Sequence, residues 1–145
     1  MNDILTAPFM VNMIRTVTEM YAHGWDERNG GNVSYMLEEE EVARYLDITN
    51  VLRVIPTGFD APALAGKYFL VTGTGKYFRN VQYDPACNLG IVRIAPDGKN
   101  AQLLWGFSDG GQFTSEFPAH MMSHVSRLAV DPDNRIIMHC HPANI

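Results

Sequence analysis

Residues 88–105 read NLGIVRIAPDGKNAQLLW. An apolar run over 88–94 leads into an Asp97-Gly98 turn, and a second apolar run follows over 101–105. Asp-Gly between two such runs is a strong hairpin signal, because the favoured two-residue turn needs positive φ at its centre. Two strands joined this closely are antiparallel neighbours, so the sheet they belong to is expected to be mostly antiparallel.

Working outward, Tyr68-Phe69-Leu70-Val71-Thr72 reads as a strand that ends in the glycine turn Gly73-Thr74-Gly75-Lys76, and Asp84-Pro85 starts another turn. Short strands are predicted over 33–37 and 51–55. The second is followed by loops punctuated by Pro56, Gly58, Pro62 and Gly66. A helix is predicted over 6–24, with Thr6 as N-cap, Pro8 in the first turn and Gly24 as the stop. Its apolar stripe is Phe9, Met13, Val17, Met20 and Tyr21. The acidic run 38–41 opens a short solvated helix. A longer helix is expected from Thr114 to about residue 128, then a turn at 131–134 and a strand over 135–141. The resulting class is α+β, a mostly antiparallel central sheet flanked by helices.

The chain has 145 residues, 46% of them hydrophobic and 19% charged, which fits one ordinary globular domain without disordered tracts. A formal charge of -5 argues against a nucleic-acid partner, which needs a basic face. No apolar run approaches the ~20 residues of a membrane span. The N-terminus lacks the pattern of a secretory signal. Cys87 and Cys140 form no CxxC pair and read as free thiols of a cytoplasmic protein. The last residues, HCHPANI, read as a strand entering a helix start. We therefore expect residues 1–145 to be the N-terminal part of a single longer domain whose remainder lies outside this chain.

Three features carry possible chemistry. His139 and His141 are two positions apart in a predicted strand, so both imidazoles lie on one face, opposite Ile136, Met138 and Cys140. Two nitrogens on one face suit zinc. They equally suit a strand with two ordinary histidines, and a catalytic zinc usually needs a third protein ligand. His23, His120 and His124 fall in predicted helices and offer no evident third. Thr114-Ser115-Glu116 at a helix start can cap the helix and offers free N–H groups to an anion. The loops Asn29-Gly30-Gly31-Asn32 and Gly73-Thr74-Gly75-Lys76 could bring backbone N–H groups close to a phosphate, or simply make tight turns.

Taken in order, the GGN loop, the TGTGK strand end, the TSE helix start and the HCH strand resemble the class II aldolase/adducin family. The segments GWDERNGGNVS, FLVTGTGKYFRNVQYDPACNLGIV, LLWGF, TSEFPAHMMSH and RIIMHCHPAN carry the resemblance over most of the chain. It implies an α/β/α fold in three layers and a homotetrameric, metal-dependent lyase acting on a phosphorylated ketose. By the same resemblance, zinc is held by His139 and His141 with a third histidine beyond Ile145, and Glu116 is the catalytic acid/base. Phosphate and adjacent hydroxyls would be bound by Asn29, Gly31, Asn32, Thr74, Gly75, Thr114 and Ser115. The implied reaction is reversible cleavage of L-rhamnulose 1-phosphate to dihydroxyacetone phosphate and L-lactaldehyde. Without the third ligand, residues 1–145 alone are expected to be inactive. Competing readings are an L-fuculose-phosphate aldolase, a pentulose-phosphate 4-epimerase and a non-catalytic adducin-like module. Glu116 and the paired histidines argue against the last two.

Overall fold

The chain is described by a computed structural model that covers residues 3–22, 31–74, 78–130 and 135–139, with side chains for all of these except Phe78, Arg79 and His139. The first long helix, α1, spans Pro8–Ala22 and buries Phe9, Met10, Met13, Val17 and Met20. The expected stripe is present, but Tyr21 at its edge is exposed. Thr6 does not cap α1. It belongs to a short 3-10 turn, Ile4–Thr6, whose N-cap is Asp3, and the Thr6 hydroxyl donates back to the Asp3 carbonyl. Gly24, the expected stop, lies outside the described residues.

Six strands follow among the described residues: β1 Asn32–Leu37, β2 Arg53–Pro56, β3 Tyr68–Thr72, β4 Leu89–Ile94, β5 Asn100–Gly106 and β6 Ile136–His139. They form one sheet in the order β2-β5-β4-β3-β1-β6, and each neighbouring pair is antiparallel. The Asp97-Gly98 hairpin joins β4 to β5 as expected, with a register shift between Ile91 and Val92. Val51 and Leu52, expected in the second strand, precede β2 and are exposed.

Both faces of the sheet are covered, which explains why β3 reads as a continuous apolar run rather than an alternation. Helix α1 packs on one face with Val33, Leu37, Leu70, Leu89 and Ile91. The helix at Phe117–Val130 packs on the other with Met36, Phe69, Val71, Val92 and Leu103, through Phe117 and Met121. Each fully buried side chain of this size contributes roughly 1.5–3 kcal/mol. The layers are helix, sheet, helix.

Among the described residues there are three shorter α-helices and a 3-10 turn at Pro62–Leu64. The acidic run gives α2, Glu39–Ala43, where the Glu38 N–H donates to Glu41 Oε1 at 2.7 Å. The region read as a turn holds α3, Phe78–Val81, and α4, Pro85–Asn88. Asp84 caps α4 by accepting from the Cys87 N–H, and Pro85 occupies its first turn, so Asp84-Pro85 is a helix start. The helix Phe117–Val130 is α5 in this numbering. Contact requires glycine at position 90, where a Cβ would run into the ring of the buried Phe107.

Candidate active site

Two periodicities meet between β1 and α5. On the strand, Asn32 and Ser34 share the face turned to α5. On the other side, Glu116 just before α5 and His120 and His124 within it follow each other at four-residue spacing and so lie on one face. Four helical residues rise about 6 Å and two strand residues about 6.8 Å, so the two rows stay nearly in step. The result is a line of polar side chains through an otherwise apolar layer. Asn32 Nδ2 donates to Glu116 Oε2, and Asn32 Oδ1 bonds His120 Nε2. Ser34 Oγ bonds His120 Nδ1 at 2.7 Å and His124 Nε2 at 2.8 Å. Asn32, Ser34, His120 and His124 are all buried, whereas Glu116 is exposed at the open end of the row.

At the closed end, burial pushes the His124 pKa down to about 4, and the neighbouring His120 adds to the effect. The Phe69 ring packs against His124 with centroids 4.9 Å apart. His124 Nδ1 is buried and has no hydrogen-bond partner among the described residues.

Helix α5 begins later than expected. Thr114 does not cap it: its carbonyl accepts from Phe117 N at 3.0 Å, and its hydroxyl accepts from Glu116 N at 3.3 Å. The first helical bond, from His120 N, is accepted by the Glu116 carbonyl at 3.1 Å. Thr114-Ser115-Glu116 therefore forms a tight turn that leads into α5. The same turn is anchored to the sheet, because Thr114 N donates to Thr72 O and Thr74 N to Gln112 O, each at 2.9 Å. Val33 N donates to Thr72 Oγ1 at 3.1 Å. Residues 31–33, 72–74 and 112–116 thus come together at one end of the sheet.

Of the residues singled out in the sequence, Gly31, Asn32, Thr74, Thr114, Ser115 and Glu116 belong to this cluster. Gly31, Asn32 and Thr114 are buried, and Thr74, Ser115 and Glu116 are exposed. Asn29, Gly75 and His141 lie outside the described residues. His139 is described by its backbone, which pairs with Asn32 in the β1–β6 register. Strand alternation puts position 139 on the face that carries Asn32 and Ser34. Cys140, expected to point away from the two histidines, lies outside the described residues.

A cleft of about 180 Å³ opens beside the row, lined by Asn32, Glu116, Ala119, His120, Ser123, Ile137 and Met138. Among the described residues no group of three His, Cys, Asp or Glu side chains could hold a metal. That count reaches neither the His139 side chain nor His141. Two imidazoles at the spacing of positions 139 and 141 form a donor set of the kind zinc takes, and β6, which ends at His139, pairs with β1 at Asn32. His120 and His124 are not among the site residues singled out in the sequence, although Glu116, His120 and His124 share a four-residue spacing next to the buried apolar Phe117 and Met121.

Comparison with known proteins gives the site its context. The sequence profile of the Class II Aldolase and Adducin N-terminal domain matches residues 11–145. A rhamnulose-1-phosphate aldolase of Listeria monocytogenes serovar 1/2a is 57% identical over 143 residues, covering 99% of this chain and 52% of that protein. A rhamnulose-1-phosphate aldolase of Enterococcus faecalis is 54% identical over 143 residues, with coverage of 99% and 51%. The chain spans about half the length of the curated relatives it matches. In three dimensions it is similar to the crystal structure of a sugar-phosphate aldolase from Thermotoga maritima, with a TM-score of 0.74 and 30% identity. That match covers 92% of this chain and 53% of the other.

Proposed function

The chain belongs to the class II aldolase and adducin N-terminal domain family, and on that basis we propose that the protein is a zinc-dependent aldolase. Its proposed reaction is the reversible cleavage of L-rhamnulose 1-phosphate to dihydroxyacetone phosphate and L-lactaldehyde. The observation that supports this reading best is the Asn32–Glu116 bond beside the paired position of His139. It sets a carboxylate next to the strand that ends at His139. Relatives named rhamnulose-1-phosphate aldolase favour this sugar over fuculose phosphate and over a pentulose-phosphate epimerase. The reading includes a homotetramer in the cytoplasm, and no helix of the described residues is long and apolar enough to cross a membrane.

In this reading His139 and His141 hold zinc with a third ligand outside residues 1–145. When bound, the metal supplies Lewis acidity toward the ketone and hydroxyl oxygens of the substrate. The chain's own residues do the rest. Breaking a carbon–carbon bond beside a hydroxyl removes a proton from that hydroxyl and delivers one to the carbon on the other side. Glu116 is exposed at the mouth of the cleft, where it can exchange a proton with substrate. Asn32 donates to one carboxylate oxygen and so restricts the orientation of the group. With Asn29, Gly31, Asn32 and Gly75, the hydroxyls of Thr74, Thr114 and Ser115 bind the phosphate and adjacent hydroxyls, while the Thr74 and Thr114 N–H groups stay with Gln112 O and Thr72 O. Phosphate binding far from the breaking bond fixes the substrate without engaging the reacting carbons. Ala119, Ile137 and Met138 give the cleft an apolar wall.

The test is to assay the full-length protein with L-rhamnulose 1-phosphate after zinc loading and after chelation. Turnover that disappears with chelation and returns with zinc supports the reading. Turnover that chelation leaves untouched refutes the metal role, and no cleavage of this substrate refutes the activity. Residues 1–145 alone should show no turnover, because two imidazoles hold a zinc weakly.

A further inference from the structure

The row Asn32, His120, Ser34, His124 has a direction, and the direction matters for Glu116. An asparagine amide has a donor end and an acceptor end. Turned one way, Asn32 gives the Glu116 carboxylate an N–H. Turned the other way, it would set a carbonyl oxygen against a carboxylate oxygen, and two acceptors repel. Something must hold the amide in the first orientation.

We propose that His120, with its proton placed by Ser34 and His124, is a positioning residue that fixes the Asn32 amide so that its N–H end faces Glu116. The steps follow from counting protons. Ser34 has one hydroxyl proton and touches two histidine nitrogens, His120 Nδ1 and His124 Nε2. It must donate to one and accept from the other. The choice is made at the closed end, where His124 Nδ1 is buried with no partner among the described residues. Burying an N–H donor without a partner is rarer and more costly than burying a bare acceptor. His124 therefore carries its proton on Nε2 and donates to Ser34. Ser34 donates to His120 Nδ1, which leaves the His120 proton on Nε2. That N–H points at Asn32 Oδ1 and turns the amide N–H toward Glu116 Oε2. All of these groups except Glu116 are buried, so bulk water does not offer them alternative partners.

The inference rests on Glu116 being the proton-transfer group of the proposed aldolase, and it is tested by two independent arms. The first arm needs no turnover. In full-length protein labelled with 15N-histidine, the ring nitrogen shifts of His120 and His124 should both report the Nε2–H tautomer. In Ser34→Ala, the His120 preference should weaken. An Nδ1–H tautomer at His120 in the wild-type protein overturns the proposal, whether or not the protein proves to be an aldolase.

The second arm uses cleavage of L-rhamnulose 1-phosphate. His120→Leu removes the donor to Asn32 and should lower kcat by about 10–100-fold with KM little changed, as loss of an orienting contact does. His120→Gln keeps an N–H at the Nε2 position and should recover most of that loss. A structural role alone would not separate the two variants in kcat at equal zinc content and equal thermal stability. Equal kcat for His120→Leu and His120→Gln, or wild-type kcat in His120→Leu, overturns the proposal. Should wild-type protein not cleave the sugar phosphate, the functional reading fails, and the tautomer measurement still decides the direction of the row.

Discussion

Acid should destabilise this fold through one buried imidazole, and the size of the effect follows from its surroundings. In the unfolded chain His124 takes up a proton near the ordinary value of 6.5, whereas in the folded chain burial and His120 hold it down to about 4. Between those values the unfolded state binds more protons, so stability falls as pH falls through that window. Above 6.5 neither state is protonated and the term is absent. Below 4 both are, and the loss has reached its ceiling of about 3 kcal/mol at 1.36 kcal/mol per unit. At about pH 5 the expected loss is ~2 kcal/mol. His124→Gln provides the control, because its amide N–H can still reach Ser34 Oγ and does not titrate. Urea unfolding of both proteins at about pH 7.5 and pH 5 isolates the term from carboxylates common to both. With a urea slope of roughly 2 kcal/mol per molar, the wild-type midpoint should drop by ~1 M more than that of the variant. If both midpoints drop equally, His124 is not held neutral by burial and the proton count along the row is wrong.

Three further outcomes can be measured. Glu116→Gln in the full-length protein should keep fold and zinc while cleavage falls by about 10²–10⁴-fold, the usual contribution of a general acid–base group. Near-normal turnover would remove Glu116 from that role. His139→Ala should lower bound zinc per chain, read by elemental analysis after dialysis, and full retention would dismiss His139 as a ligand. Gly90→Ala should destabilise the fold by about 1–3 kcal/mol in chemical denaturation, because the new methyl meets the buried Phe107 ring. An unchanged midpoint would mean that ring moves freely.

The antiparallel sheet was legible because Asp97-Gly98 announces its hairpin and because β1, β3, β4 and β5 carry apolar runs bounded by turn residues. Helix α1 was legible from its period, except at Tyr21, which sits where the buried stripe meets solvent. The short helices α3 and α4 were missed because Asp84-Pro85 serves a turn and a helix start equally well, and four-residue helices show no periodicity. The start of α5 was misplaced by three residues for a related reason: Thr114 accepts from Glu116 N, as a capping residue would, but within a turn that the sheet holds in place through Thr72. Glu116 and Asn32 were found through motif order, yet the contact between them spans 84 positions and no local pattern encodes it. In the sequence His120 and His124 fall in a predicted helix and offer no evident third metal ligand. Their importance appears only when the four-residue step of a helix is laid along the two-residue step of a strand.

The pairing of β1 with β6 also bears on how the molecule assembles. Ser34 meets Ile137 across the sheet, a closure over roughly a hundred residues, and long closures are slow to form. Until β6 is available, β1 presents an open hydrogen-bonding edge that another chain could occupy. During synthesis from the N-terminus, α1 and the β1–β3–β4–β5–β2 part of the sheet can associate first. Among the described strands, β6 is the last to be made. Exposure of that β1 edge therefore lasts as long as synthesis of the intervening chain, and the nascent protein is most open to mispairing during that interval.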